Sequence, residues 1–185
     1  MDELYIKKVL NGDIDAFKYF VRQYKDMAFT VAVAVLKNEF DAKDVVQEAF
    51  LMAFKRLKSF KRKSKFSTWF YRIVINESFK QVKKREQEHY EIQNIPSESI
   101  KDIPQTIVSL KEEEQKYYID LALKRIPSKE GLALILFYLE EYSVAEISDI
   151  TGWSASNIKV ILFRARKNIY RELWQLLKSE IQSLY

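Results

Sequence analysis

The chain has 185 residues, 48% of them hydrophobic and 31% charged, with a formal net charge of +5 and a pI near 9.1. That length holds one ordinary domain or two small ones, and the composition is that of a globular protein. No cysteine and a single histidine, His89, exclude disulfides, zinc fingers and thiol nucleophiles.

Three glycines and three prolines, with apolar residues recurring at three and four rather than at two, read as an all-α protein. The first helix spans Met1 to Leu10 and stops at Asn11-Gly12. Asp13 is placed to cap a second helix reaching about Leu36, whose core stripe is Ile14, Phe17, Phe20, Val21, Tyr24, Ala28, Val31, Ala32 and Val35. Asn38 to Phe40 breaks the pattern, and Asp41 or Asp44 opens a third helix ending near Leu57. Val46, Phe50, Ala53 and Leu57 form its buried stripe, while Asp41, Asp44, Gln47 and Glu48 share another face. That acidic face has three readings: a solvated surface near a helix N-terminus, a metal site, and a protein-docking face. No histidine or further carboxylate stands at the spacing a metal shell requires.

Between Lys55 and Arg85 there are twelve Lys or Arg against one acid, Glu77, interleaved with Phe60, Phe66, Trp69, Phe70, Tyr71 and Phe79. Cations suit a phosphate backbone, and flat rings suit unpaired bases. The bland alternative is an aromatic core face beside a solvated basic face. A fourth helix, capped by Ser67 or Thr68, is expected to run to about Arg85. Trp69, Tyr71, Ile73 and Ile75 cannot all be buried by one stripe, so the helix is packed on two sides or offers apolar surface to a ligand. Asn76 is polar in the middle of that set, with an amide able to donate and accept.

From Glu86 to Gln115 there are eight acids against two lysines, with Pro96 and Pro104 and no apolar period. This reads as an acidic, flexible linker between two helical domains, 1–85 and 112–185, with 86–111 between them. His89 falls in it as a solvated residue. The second domain opens with a helix from Glu112 to Ile126, ended by Pro127, and another from Ser128 to about Leu139. Ser143-Val-Ala-Glu146 is a capping box. Gly152 falls where a tight turn requires positive φ, and Ser154 caps a last helix reaching about Gln182. The pair is a helix-turn-helix. Ile158, Leu162, Ala165 and Ile169 face its core, and Asn157, Lys159, Val160, Phe163, Arg164 and Lys167 face outward, as on a helix that enters the major groove.

The segments D-A-F-K-Y-F-V-R-Q-Y from Asp15, D-A-K-D-V-V-Q-E-A-F-L-M-A-F from Asp41, F-S-T-W-F-Y-R-I-V-I-N from Phe66 and E-I-S-D-I-T-G-W-S-A-S-N-I-K-V-I-L-F-R-A-R from Glu146 together resemble the extracytoplasmic-function (ECF) sigma factors of the sigma-70 superfamily. The resemblance covers both domains. It implies that the first, sigma region 2, docks on the β′ clamp helices of core RNA polymerase through Asp41, Asp44, Gln47 and Glu48. The same domain would melt and read the promoter −10 element. By position, Phe60 in the loop and Asn76 on the helix match the residues that hold a flipped base. Lys61, Lys63 and Lys65 are free for phosphates, and Phe66, Trp69, Arg72 and Lys80 complete the −10 set, with Trp69 expected to pack in the core. The second domain, sigma region 4, would read the −35 element with Ser156, Asn157, Lys159, Val160, Phe163, Arg164 and Lys167 and meet the β flap. Many relatives carry a small polar residue followed by Arg or Lys where this chain has Val160-Ile161.

The resemblance also implies an anti-sigma factor as a further partner, and no catalysis, cofactor or metal. The N-terminus lacks an apolar signal core and no run approaches the roughly twenty residues of a membrane span, so a cytoplasmic protein without membrane insertion is expected. Two other functions fit parts of the chain. A stand-alone helix-turn-helix regulator leaves the aromatic loop and the Asp44 face without purpose. A nuclease would use Asp41, Asp44 and Glu48 for a metal.

Overall fold

The computed structural model describes residues 1–88 and 112–183. The expected linker, His89 included, lies outside the described residues apart from 86–88, which prolong a helix. Helix α1 (Asp2–Leu10) ends at Asn11, and Gly12 takes φ 101°. The Asp13 carboxylate accepts the Ala16 N–H at 3.1 Å, but it caps a short 3-10 turn, Ile14–Phe17, that leads into α2 (Lys18–Leu36). Ile14 and Val21, expected in the core stripe, are 67% and 37% exposed. They lie toward the α3 side, where they line an open groove instead of the core.

The break at Asn38 proves to be the cap itself. Its backbone is extended and its side-chain oxygen accepts the N–H groups of Phe40 and Asp41 at 2.9 and 3.1 Å. Helix α3 (Glu39–Arg56) therefore starts before Asp41 or Asp44. Helix α4 (Phe66–Glu88) likewise starts ahead of the expected caps, with Ser67 and Thr68 inside its first turn and the Trp69 N–H bonded to the Lys65 carbonyl. In the second half, α5 (Glu112–Arg125) stops before Pro127, and α6 (Ser128–Leu134) passes into a π-helical turn, Ile135–Leu139. The expected helix from Ser128 to Leu139 thus has the right extent but widens over its last five residues. Helices α7 (Val144–Thr151) and α8 (Ala155–Ser183) follow.

Helix α2 packs on α3 and α4, closing a core around Phe20, Val31, Val35, Phe50, Leu57 and Phe70. The rings of Phe50 and Phe70 stack at 4.4 Å between centroids. Helices α6, α7 and α8 close a second core around Leu132, Leu136, Ile147, Ile150, Ile158 and Leu162. Each fully buried side chain of this kind contributes about 1.5–3 kcal/mol of transfer free energy. Helix α5 lies along the far half of α8 through Tyr118, Ala122, Leu176 and Leu177.

The two cores are continuous. Helix α6 packs on α2, and α7 packs on α4. This resolves the surplus of apolar residues on α4: Phe70, Tyr71, Ile73, Val74 and Ile75 are all buried because the helix is covered on two sides, by α2 and α3 within its own domain and by α7 from the other.

Candidate nucleic-acid and polymerase-docking surfaces

The basic loop runs from Phe60 to Lys65 between a 3-10 turn, Leu57–Ser59, and α4. Its aromatic floor is built from α2 and α4. The Phe66 ring, 2% exposed, lies 4.2 Å from Phe20 and 5.6 Å from Trp69. Phe60 is half-buried, 5.0 Å from Trp69 and 6.0 Å from Phe66. Phe66, expected to touch −10 DNA, is therefore a supporting ring beneath the loop. Phe60 and Trp69 form the half-buried pair above it, and Lys61, Lys63 and Lys65 stand exposed around them. Arg62, absent from the expected set, takes φ 55° and pairs with Glu3 of α1 at 3.5 Å. Only the basic run around it signals Arg62 in the sequence.

On α4, Arg72, Asn76 and Lys80 lie exposed at four-residue spacing, which aligns them along one side of the helix. Lys80 is within 3.2 Å of Glu77. Arg72 donates to the Asp149 carbonyl near the end of α7.

The acidic face of α3 divides. Asp41 is paired with the Arg85 guanidinium, which takes it up within the domain. Asp44, Gln47 and Glu48 remain exposed. Asp44 and Glu48 line a cleft shared with α4. Gln47, with Lys43 and Leu51, borders an apolar groove of about 680 Å³ between α2 and α3 that includes Val21, Phe29 and Phe54. The apolar lining went unread in the sequence, since Val21 fits a helical core stripe equally well. Among the described residues, no group of three or more His, Cys, Asp or Glu is placed to hold a metal ion.

The helix-turn-helix is closely knit. The Ser143 hydroxyl accepts the Glu146 N–H, and the Glu146 carboxylate accepts the Ser143 N–H at 3.0 Å. The Ser143 hydroxyl also lies 2.8 Å from the same carboxylate, and the Ser143 N–H and hydroxyl together hold the Glu146 carboxyl below the usual carboxylate range. Gly152 takes φ 76°, Ser148 donates to the Trp153 carbonyl at 2.6 Å, and Ser154 accepts the Asn157 N–H at 3.3 Å as cap of α8. Ile158, Leu162 and Ala165 are buried as expected, with Ile169 partly buried. Ile161 joins them at 9% exposure, so of the Val160-Ile161 pair only Val160 reaches the outer face. Ser156, Asn157, Lys159, Val160, Phe163, Arg164 and Lys167 are all exposed. Lys167 lies over the Phe163 ring at 4.7 Å, a cation–π contact that steadies an apolar ring in a basic surface.

A helix-turn-helix with an exposed basic face, joined to a helical domain carrying an aromatic, lysine-rich loop, defines a two-module transcription protein of the sigma-70 class. The family profile described as Sigma-70 region 2 matches residues 20–88, and that described as Sigma-70, region 4 matches residues 116–169. The chain belongs to the ECF RNA polymerase sigma factors. It is 31% identical over 182 residues to the ECF sigma factor SigW of Bacillus subtilis (strain 168), covering 92% of this chain and 96% of that protein. To the ECF sigma-E factor of Escherichia coli (strain K12) it is 26% identical, with 96% of each chain covered. The fold is shared with CnrH, solved in complex with the cytosolic domain of CnrY (TM-score 0.64, 20% identity, 96% and 97% covered). It is shared also with RpoE of Bartonella quintana, solved with the anti-sigma factor NepR (TM-score 0.65, 24% identity, 85% and 96% covered). As a sigma factor, the chain serves promoter recognition and transcription initiation by RNA polymerase.

Proposed function

We propose that the work is divided among three surfaces. The exposed Asp44, Gln47 and Glu48 strip of α3 docks on the β′ clamp helices of core polymerase, with Asp41 holding Arg85 behind it. The Phe60 to Lys65 loop and the Arg72, Asn76 and Lys80 side of α4 receive the melted −10 element. Phe60 on Trp69 offers a ring to an unstacked base, Asn76 an amide to its edge, and the lysines charge to its phosphates; base flipping needs a few kcal/mol that such a pocket can offset. The N-terminal half of α8 reads the −35 duplex through Lys159, Val160, Phe163 and Arg164, and the same domain meets the β flap.

The reading places the functional domains at 1–85 and 112–185, the linker at 86–111, and the protein in the cytoplasm as a non-catalytic initiation factor. Among the described residues no helix is long and apolar enough to cross a membrane. An anti-sigma factor is the expected inhibitor, since two proteins of this fold were solved with partners, one of them named as an anti-sigma factor.

The observation that carries this reading is the segregation of exposed groups: acids on α3, lysines with aromatics at the loop, and cations with Val160 and Phe163 on α8. Co-elution of the purified chain with bacterial core RNA polymerase tests the docking surface. The Asp44→Ala, Glu48→Ala double variant is expected to bind at least tenfold more weakly. Undiminished co-elution of the variant would remove α3 from the docking surface.

A further inference from the structure

One partly buried amine takes no part in the surfaces described above. Lys37 follows α2 as its left-handed C-cap at φ 56°, a conformation that glycine holds without strain, so the turn itself gives no reason for a lysine. Its Nζ donates to the Leu123 carbonyl in the last turn of α5 at 2.6 Å. A Cβ on Gly131 of α6 would come within 2.8 Å of the same nitrogen, so the glycine leaves room for the amine. Lys37 and Leu123 both line a partly open cavity of about 380 Å³, whose apolar wall is made by Phe29, Val33, Ile135 and Leu139.

In this setting the free amine is better accommodated than the ammonium. Lys37 titrates at about 8 because of burial, and Glu130, which opposes that shift, is itself taken by the Asn168 amide at 2.7 Å. At pH 7.5 such a group is roughly one-quarter free amine, against about one part in a thousand for a lysine at its ordinary 10.5. A less basic amine is also a weaker nucleophile. With a Brønsted slope of about 0.5, the value for thiols, the net advantage over an ordinary lysine is about tenfold.

We propose that Lys37 is a site of covalent acylation by short-chain acyl phosphates, with the cavity seating the acyl group. The neutral amine attacks the carbonyl carbon of the donor. A carbon–nitrogen bond forms, the bond from that carbon to the phosphate oxygen breaks, inorganic phosphate leaves, and the surplus proton of the amine goes to water. The amide that results keeps one N–H, enough for the Leu123 carbonyl, and sets its alkyl end against the apolar wall. Glu39, Lys116, Asp120 and Lys124 also line the cavity, with Lys124 3.9 Å from Glu39. These four charges cancel in sum, so the wall, rather than attraction for the phosphate, favours the donor. Acylation replaces a partly buried cation with a neutral group. The modified chain therefore melts at a higher temperature than the unmodified chain at pH 7.5, and the gap narrows towards pH 10 as the unmodified amine loses its proton.

The test uses the full-length chain, incubated at pH 7.5 with acetyl phosphate, with acetylation at each lysine followed by peptide mass spectrometry. Lys37 is expected to react about tenfold faster than the median exposed lysine and to fall to that median in denaturant. Leu139 is 63% exposed, so Leu139→Trp can fill the cavity without entering the core. It is expected to slow Lys37 severalfold and leave the other lysines unchanged. Acetylation of Lys37 no faster than that of exposed lysines would overturn the proposal and reduce the residue to a cap on the end of α5. A fast Lys37 that Leu139→Trp does not slow would overturn the seating of the acyl group in the cavity.

Discussion

Burial pushes the Lys37 amine down to about 8, partly offset by the Glu130 carboxylate on α6. The charged groups around it are Lys116, Asp120 and Lys124 on α5 and Glu39 on α3. Unfolding returns Lys37 to water and its ordinary value near 10.5. The folded chain then holds fewer protons at this group than the unfolded chain between about pH 8 and 10.5, so the contribution of Lys37 to stability rises with pH through that window and is constant below it. Denaturant titrations are expected to show parent and Lys37→Met diverging between pH 7.5 and pH 9.5, the parent gaining relative to the variant as pH rises. A second residue-scale expectation concerns Gly152. Space around it is open, but φ is 76°, so Gly152→Ala meets backbone strain without any clash and should lower stability by about 1–2 kcal/mol in thermal unfolding.

Among the elements, α4 shows best what the sequence could and could not disclose. Its apolar residues exceed one stripe, and that excess is plain from Trp69, Tyr71, Ile73 and Ile75. Whether the second cover would be a ligand or another part of the chain was not, because periodicity describes one helix and α7 lies more than fifty residues away. The helix-turn-helix was the more legible element, since a capping box, a lone turn glycine and a serine cap are all local chemistry. Starts of α3 and α4 were misplaced for a related reason: Asp41, Asp44, Ser67 and Thr68 are all good caps in isolation, and a choice among neighbouring caps is made by packing. The aromatics of α4 and of the loop before it should part company on mutation. Phe70 is fully buried, so Phe70→Ala should destabilise the chain by about 3–5 kcal/mol. Phe60 is half-buried against Trp69, so Phe60→Ala should lose less stability in denaturant titration while reducing promoter opening. A Phe60→Ala chain as unstable as Phe70→Ala would make Phe60 a core residue.

For the whole molecule, a net charge of +5 predicts attraction to DNA but no division of labour; the division comes from where the charges sit. Lysines beside rings suit a flexible single strand, whereas Lys159 and Arg164 on a rigid helix beside exposed Val160 and Phe163 suit a groove with fixed edges. Holoenzyme should therefore separate the two sets on two templates. Lys159→Ala or Arg164→Ala should weaken binding to a fully paired promoter by about 1–3 kcal/mol if a base edge is lost, or reduce the salt slope by about 1 if only a phosphate is lost. Their effect should be similar on a promoter melted in advance at −10, because the −35 duplex is the same in both. Asn76→Ala and Phe60→Ala should behave otherwise. On the paired template their loss reduces both capture of the unpaired base and the opening that exposes it. On the melted template the energy of opening has already been supplied, and the residual loss measures contact alone. A larger defect on paired than on melted DNA for Asn76 and Phe60, against equal defects for Lys159 and Arg164, is the expected pattern. Equal losses for all four on both templates would mean that the α4 surface binds DNA without taking part in melting it.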